Sequence, residues 1–142
     1  MTVRTGTHRL YGKDYFVLGE AIHSETGKTL VLYAATDEDS PVVQAEPLSD
    51  FFNNEHKRIL GRPRHGVVKR GVYEHFKSTP ENQKKYLVVG EAIVPETGEA
   101  LVLYIPLCGP FRVVARPTTM FLEEVDRPEL GYYGPRFRYV GE

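Results

Sequence analysis

The apolar positions of this chain gather into short blocks rich in Val, Ile, Leu and Tyr, separated by Gly, Pro, Ser and Thr. Tyr15 to Ile22 and Thr29 to Tyr33 are two such blocks. Between them lies Ser24-Glu25-Thr26-Gly27, where a type I turn can close into a glycine at positive φ, and this predicts a β-hairpin. Val42 to Glu46 and Phe111 to Arg116 predict one strand each, ended by Pro47 and Pro117, which cannot donate to a ladder. Gly6 to Tyr11 and Gly71 to Phe76 predict opening strands, and Arg136 to Val140 alternates polar and apolar residues as a final strand. Short helical turns are expected after the prolines. Ser49 would cap a helix with Phe52, Ile59 and Leu60 on one face, Lys57 and Arg58 in its last turn and Gly61 as its stop. Thr118 or Thr119 would cap another, bounded by Pro128.

The pattern is stated twice. Tyr15 to Tyr33 returns as Tyr86 to Tyr104 with thirteen of nineteen positions identical, including Gly-Glu-Ala-Ile, Glu-Thr-Gly and Leu-Val-Leu-Tyr. The correspondence continues through Ala45-Glu46-Pro47 with Ala115-Arg116-Pro117, Phe51 with Phe121, Leu60-Gly61 with Leu130-Gly131 and Pro63-Arg64 with Pro135-Arg136. Upstream, Gly6 and Tyr11 face Gly71 and Phe76. Residues 78–85 are an excursion present only in the second copy. A repeat of about 70 residues is too long for a solenoid unit and suits a small barrel or sandwich. The basic segment Gly61 to Gly66 looks like a linker, but its counterpart near the chain's end connects nothing. The junction therefore falls at Lys69-Arg70, with one unit over 1–69 and a second over 70–142. With about five short strands and a helical turn in each, the expectation is an all-β protein of two small bent barrels packed together.

Composition narrows the classes without naming one. A hydrophobic fraction of 41% and a charged fraction of 26% are those of an ordinary globular protein. No apolar stretch approaches the ~20 residues that cross a bilayer, and the first residues lack the apolar core of a secretory signal, so a cytoplasmic location with no membrane partner is expected. The lone Cys108 fits a reducing compartment. The net charge of −1 conceals an asymmetry: residues 1–56 hold four Lys/Arg against nine Asp/Glu, and residues 57–142 hold fourteen against ten. Either the halves attract each other, or the second faces an anionic partner.

Several motifs of the second copy occur in a fixed order: Gly71-Val72-Tyr73-Glu74-His75-Phe76-Lys77, Tyr86-Leu87-Val88-Val89-Gly90, Glu96-Thr97-Gly98-Glu99, Val102-Leu103-Tyr104 and Arg116-Pro117-Thr118-Thr119-Met120-Phe121. Taken together, from Gly71 to about Val125, they resemble the bacterial family called domain of unknown function 1653. The resemblance implies an SH3-like β-barrel and no established activity. The first copy departs from the family pattern at polar positions, with His8, Leu10 and Gly12 in place of Tyr73, His75 and Lys77, and Glu46 in place of Arg116.

Those departures nominate the chemistry. Arg116 offers a planar fork for a carboxylate or phosphate, or else an internal ion pair, for instance with Glu91. Glu20 and Glu91 stand in otherwise apolar strands and point either into a barrel mouth or to solvent. Tyr73, His75, Phe76 and Lys77 form an aromatic and basic cluster of a kind that stacks bases beside phosphate contacts, against a bland reading in which Phe76 is core and the others are surface. The aromatic and arginine-rich tail from Tyr132 to Tyr139 reads as a structural strand with exposed arginines. Cys108 with His75 makes a poor nucleophile and base, since nothing nearby lowers the thiol's pKa. The five histidines lack metal-site spacing, and there is no phosphate loop or nucleophile elbow, so neither a metal nor a cofactor is expected.

The preferred reading is a non-enzymatic binding module whose second unit presents Tyr73, His75, Lys77, Glu91, Tyr104 and Arg116 to nucleic acid or an acidic protein segment. A metabolite enzyme with a pocket between the barrels, using His75 or Glu91 as general base, is the alternative. A third is a structural protein in which charge asymmetry drives homo-oligomerisation.

Overall fold

The block from Tyr15 to Tyr33 folds as the hairpin its pattern predicts. In the computed structural model, which describes residues 4–10, 13–35, 42–51, 68–95, 97–107 and 111–141, β2 (Lys13–His23) pairs antiparallel with β3 (Thr29–Ala35). Gly27, at φ 71°, donates its N–H to the His23 carbonyl at 2.9 Å, and the His23 N–H reaches Lys28 at 2.9 Å. The corresponding hairpin of the second half joins β6 (Lys85–Ile93) to β7 (Ala100–Pro106), with Gly98 at φ 75° bonded to the Val94 carbonyl at 2.7 Å. Both hairpins carry a register shift at a glycine, between Val17 and Gly19 and between Val88 and Gly90. An extra residue there bends the strand, so one hairpin can serve two cores.

The other elements follow in parallel. The first half has β1 (Gly6–Leu10), β4 (Gln44–Pro47) and α1 (Leu48–Phe51). The second has β5 (Gly71–His75), β8 (Val114–Pro117) and α2 (Thr118–Phe121), then β9 (Glu124–Arg127), a 3-10 turn (Pro128–Leu130), β10 (Tyr132–Pro135) and β11 (Phe137–Gly141). The described residues are thus mainly β with two short helices.

Two expectations about helices are corrected. In the second half the helix ends at Phe121 instead of running to Pro128, and neither threonine caps it. Its N-cap position is Pro117, and the buried Thr118 hydroxyl has no hydrogen-bond partner. Glu124 to Pro135 forms a small hairpin, turned by Pro128 and by Gly131 in the left-handed region. In the first half α1 begins at Leu48, so Ser49 lies inside it. Phe52, Ile59, Leu60, the 61–66 segment and Cys108 lie outside the described residues.

The halves are joined by main-chain hydrogen bonds. Parallel pairing brings Ile22 of β2 opposite Val114 of β8, and Gln44 of β4 opposite Ile93 of β6. The Ile22 N–H donates to Val113 and the Ile93 N–H to Val43, each at 2.9 Å. Together with β2–β3–β4 and β6–β7–β8, these contacts make a circuit of ladders in which each half supplies three strands. β1 extends the sheet beside β2, and β5 and β11 extend it beyond β6.

Three apolar clusters follow from strand alternation. One face of the hairpins gives a shared core of Ala21, Leu30, Leu32 and Ala45 with Ala92, Leu101, Leu103 and Ala115. Four alanines at this seam let the backbones of the two halves approach closely. The other face gives each half its own core: Tyr15, Val17, Val31, Tyr33 and Phe51 in the first, and Val68, Tyr73, Val88, Val102, Tyr104, Phe121 and Phe137 in the second. Burying a side chain such as Phe51 or Phe121 fully contributes roughly 1.5–3 kcal/mol.

Candidate functional site

Four of the six nominated residues face the core of the second half. Glu91, Val102 and Arg116 stand opposite one another across β6, β7 and β8, and so share the face that carries Tyr104. Tyr73 is buried, donates its hydroxyl to the Lys69 carbonyl at 2.7 Å, and packs edge-on against Phe121 and Tyr139. Burial, and secondarily the neighbouring Tyr139, push its phenol pKa above the usual value. Glu91 accepts the Val68 N–H at 2.9 Å through Oε1, while its buried Oε2 has no partner. Tyr73 and Glu91 thereby pin the segment that leads into β5.

The first half makes the same staple with a different residue. His8 donates from Nε2 to the Arg4 carbonyl at 2.7 Å, the bond that Tyr73 makes to Lys69. The exchange of His8 for Tyr73 therefore preserves a structural bond.

Tyr104 is buried, and its hydroxyl oxygen accepts the Arg116 Nε–H at 3.1 Å. The guanidinium lies 5.6 Å from the Phe137 ring centre, and Phe137 stacks on Phe121 at 4.5 Å with planes 2° apart. The carboxylate that Arg116 meets is not Glu91 but Glu25 of the first half, at 4.0 Å.

His75 is half-buried between Phe76 at 4.7 Å and Phe137 at 5.1 Å. Its Nδ1 accepts the Lys77 N–H at 3.1 Å, so a neutral ring carries its proton on Nε2. Burial foremost, then the positive charges of Arg136, Lys84, Lys77 and Arg116, lower its pKa to about 4. Four cations thus direct their fields at one imidazole.

Lys77 is exposed and belongs to a different surface. Phe76 stacks face to face with Tyr132, their centres 5.4 Å apart and planes within 20°. Around Phe76 stand Lys77 at 5.8 Å, Arg127 at 5.8 Å and Arg136 at 5.9 Å, within the ~6 Å at which a cation feels a ring's negative face. Arg136 is also bonded to Glu123 at 2.7 Å, whereas Arg127 has a single long bond to the Asp126 carbonyl. Phe76, Lys77, Arg127 and Tyr132 line a cleft of about 570 Å³, with Glu129 as its one carboxylate. A smaller hollow of about 360 Å³ opens beside Pro80 and Leu107. Neither is lined by His75 or Glu91.

Of the two readings of Phe76, core residue or member of an aromatic and basic cluster, the stack on Tyr132 favours the cluster, and Tyr132 lies on a strand as expected. Phe76 lies at the turn after β5, where strand alternation no longer assigns a face, and Tyr132 reaches it only through the unforeseen β9–β10 hairpin. The signal available was Tyr132-Tyr133, adjacent aromatics beside a glycine. Among the described residues no three His, Cys, Asp or Glu side chains gather as a metal site, and no helix is long and apolar enough to cross a membrane.

Residues 71–139 match the family described as Protein of unknown function (DUF1653). The chain belongs to the DUF1653 family through its second half. A crystal structure of a DUF1653 protein from Bordetella bronchiseptica is 31% identical, with the match covering 55% of this chain and 94% of that one at a TM-score of 0.45. No curated protein matches the chain. The staple at Tyr73, the Tyr104–Arg116 bond and the Phe76–Tyr132 stack all lie within the DUF1653 segment.

Proposed function

We propose that this DUF1653 chain is a binding module that takes single-stranded nucleic acid on its second half. The observation that carries this reading is the Phe76–Tyr132 stack, fringed by Lys77, Arg127 and Arg136 at the edge of an open cleft. Aromatic faces accept any base, and cations beside them neutralise the phosphates between bases.

We further infer that the chain is a duplicated unit, two SH3-like modules fused into one sheet system. The paired hairpins, the register shifts at Gly19 and Gly90 and the reciprocal bonds from Ile22 and Ile93 support this. In that arrangement the first unit is a scaffold partner, having a histidine staple and a buried Glu46 where the second has Tyr73 and Arg116.

Fluorescence anisotropy with a labelled single-stranded RNA of mixed sequence tests the reading. Affinity should fall as salt rises. Phe76→Ala should weaken binding by roughly 5- to 100-fold, the range of one lost base stack, and Lys77→Ala with Arg127→Ala should flatten the salt slope. Binding that ignores both sets of substitutions, or no salt-dependent binding at all, ends the proposal. Capture of an acidic peptide instead would move the partner class to protein.

A further inference from the structure

Arg116 is a cation that the cleft does not use. Its Nε–H is spent on the Tyr104 hydroxyl and its plane lies over Phe137, which leaves its outer edge facing the first half. There it meets Glu25, Nη1 to Oε1 at 4.0 Å, too long for a hydrogen bond. The hairpin bearing Glu25 is nevertheless fixed in place. The Ser24 N–H donates to the Ala115 carbonyl at 2.8 Å, next to Arg116, and the Glu25 N–H donates to His23 Nδ1 at 3.1 Å.

A guanidinium held by a phenol and an aromatic face keeps paired donors for an oxyanion. A loose pair with a carboxylate that is 43% exposed is worth about 0–1 kcal/mol. A phosphodiester making two short charge-assisted bonds would displace it. The route from the cleft is lined with matching charge: Arg136 lies over Phe76, Arg116 over Phe137, and His75 touches both rings.

We propose that Arg116 is a second oxyanion subsite, shared between the halves, where Glu25 stands in for a backbone phosphate and is displaced when a strand extends from the cleft. The strand's identity rests on the reading of the cleft given above; the oxyanion chemistry of Arg116 does not. The first half then restrains the affinity of the second, because its acidic hairpin competes with the ligand for one arginine.

The test pairs oligonucleotide anisotropy with the Arg116 Nε–H resonance in an NMR titration with pyrophosphate. Glu25→Gln should tighten oligonucleotide binding by about two- to fivefold, the loss of a competing pair of that strength. The gain should vanish in an Arg116→Ala background. Glu99→Gln removes the same charge from the other hairpin and should leave affinity unchanged; an equal gain from it would reduce the effect to net charge and overturn the subsite. If the oligonucleotide binds and responds to Phe76→Ala but not to Glu25→Gln or Arg116→Ala, the subsite is wrong and the cleft stands. If no oligonucleotide binds, the cleft reading falls and pyrophosphate decides the subsite. A shift of the Arg116 Nε–H that saturates at lower concentration in Glu25→Gln keeps it; no shift removes it.

Discussion

Tyr33 with Glu46 and Tyr104 with Arg116 occupy corresponding register positions in the two halves, and they make the same contact with opposite charge. In the first half the tyrosine hydroxyl donates to the Glu46 carboxylate at 3.1 Å, and the glutamate is buried. In the second, the hydroxyl oxygen accepts from Arg116 at 3.1 Å, and the arginine keeps 24% of its side chain exposed. A phenol serves either role, so the sheet can invert the charge at this position while keeping the bond. The scaffold therefore keeps one bond whether the position carries a buried carboxylate or a partly exposed guanidinium.

The cores offer the largest test of how far the likeness goes. Phe51 and Phe121 are both fully buried, but Phe121 stacks on Phe137 while Phe51 meets Tyr33 at a tilt, 5.2 Å away. Phe121→Ala should cost about 3–5 kcal/mol in urea denaturation and at least as much as Phe51→Ala. A larger loss at Phe51 would mean that the first half holds the stronger core.

Gly6 and Gly71 sharpen the comparison at smaller cost. Both have positive φ, 104° and 134°, so a side chain strains either one. A Cβ at Gly71 would also lie 2.8 Å from Tyr139 Cε1 and 2.9 Å from the Gly141 carbonyl oxygen, whereas nothing stands within 4 Å at Gly6. Gly71→Ala should therefore lower the denaturation midpoint clearly more than Gly6→Ala, with the strain alone costing on the order of 1–3 kcal/mol. Equal losses would show that backbone strain outweighs the clash with β11.

The smallest expected effect is a slope. His75 titrates near 4 in the folded chain against 6.5 for the free side chain, so between these values the unfolded state binds more protons. Its contribution is present above about pH 6.5 and is lost as pH falls toward 4. His75→Leu, which installs the residue type the first half has at Leu10, should flatten stability against pH across that window. An unchanged slope would mean that His75 is not held neutral by its surroundings.

Local pattern reached the hairpins because the blocks from Tyr15 and Tyr86 carry their own turn chemistry in Glu-Thr-Gly. It reached β11 through the alternation from Arg136 to Val140. It missed β9 and β10 because Pro128 reads locally as the boundary of a helix, whereas Pro128 and the left-handed Gly131 turn a hairpin whose pairing brings Asp126 opposite Tyr133. The joining of the halves was illegible for a related reason. Parallel pairing of Ile22 with Val114 and of Gln44 with Ile93 is carried by backbone groups that every residue has. At the site, Arg116 and His75 were legible as differences between the halves, yet so was Tyr73, whose difference conceals an equivalent bond.

Proline at 95 makes the seam lopsided. Its counterpart Ser24 donates an N–H to Ala115, but Pro95 has none to give to Ala45, and β4 meets β6 through one residue pair where β2 meets β8 through two. The union of the halves therefore has a hinge side and a latch side. Opening between the halves should therefore begin between β4 and β6, with β2 and β8 as the pivot, and the Ile93 amide should exchange faster than the Ile22 amide.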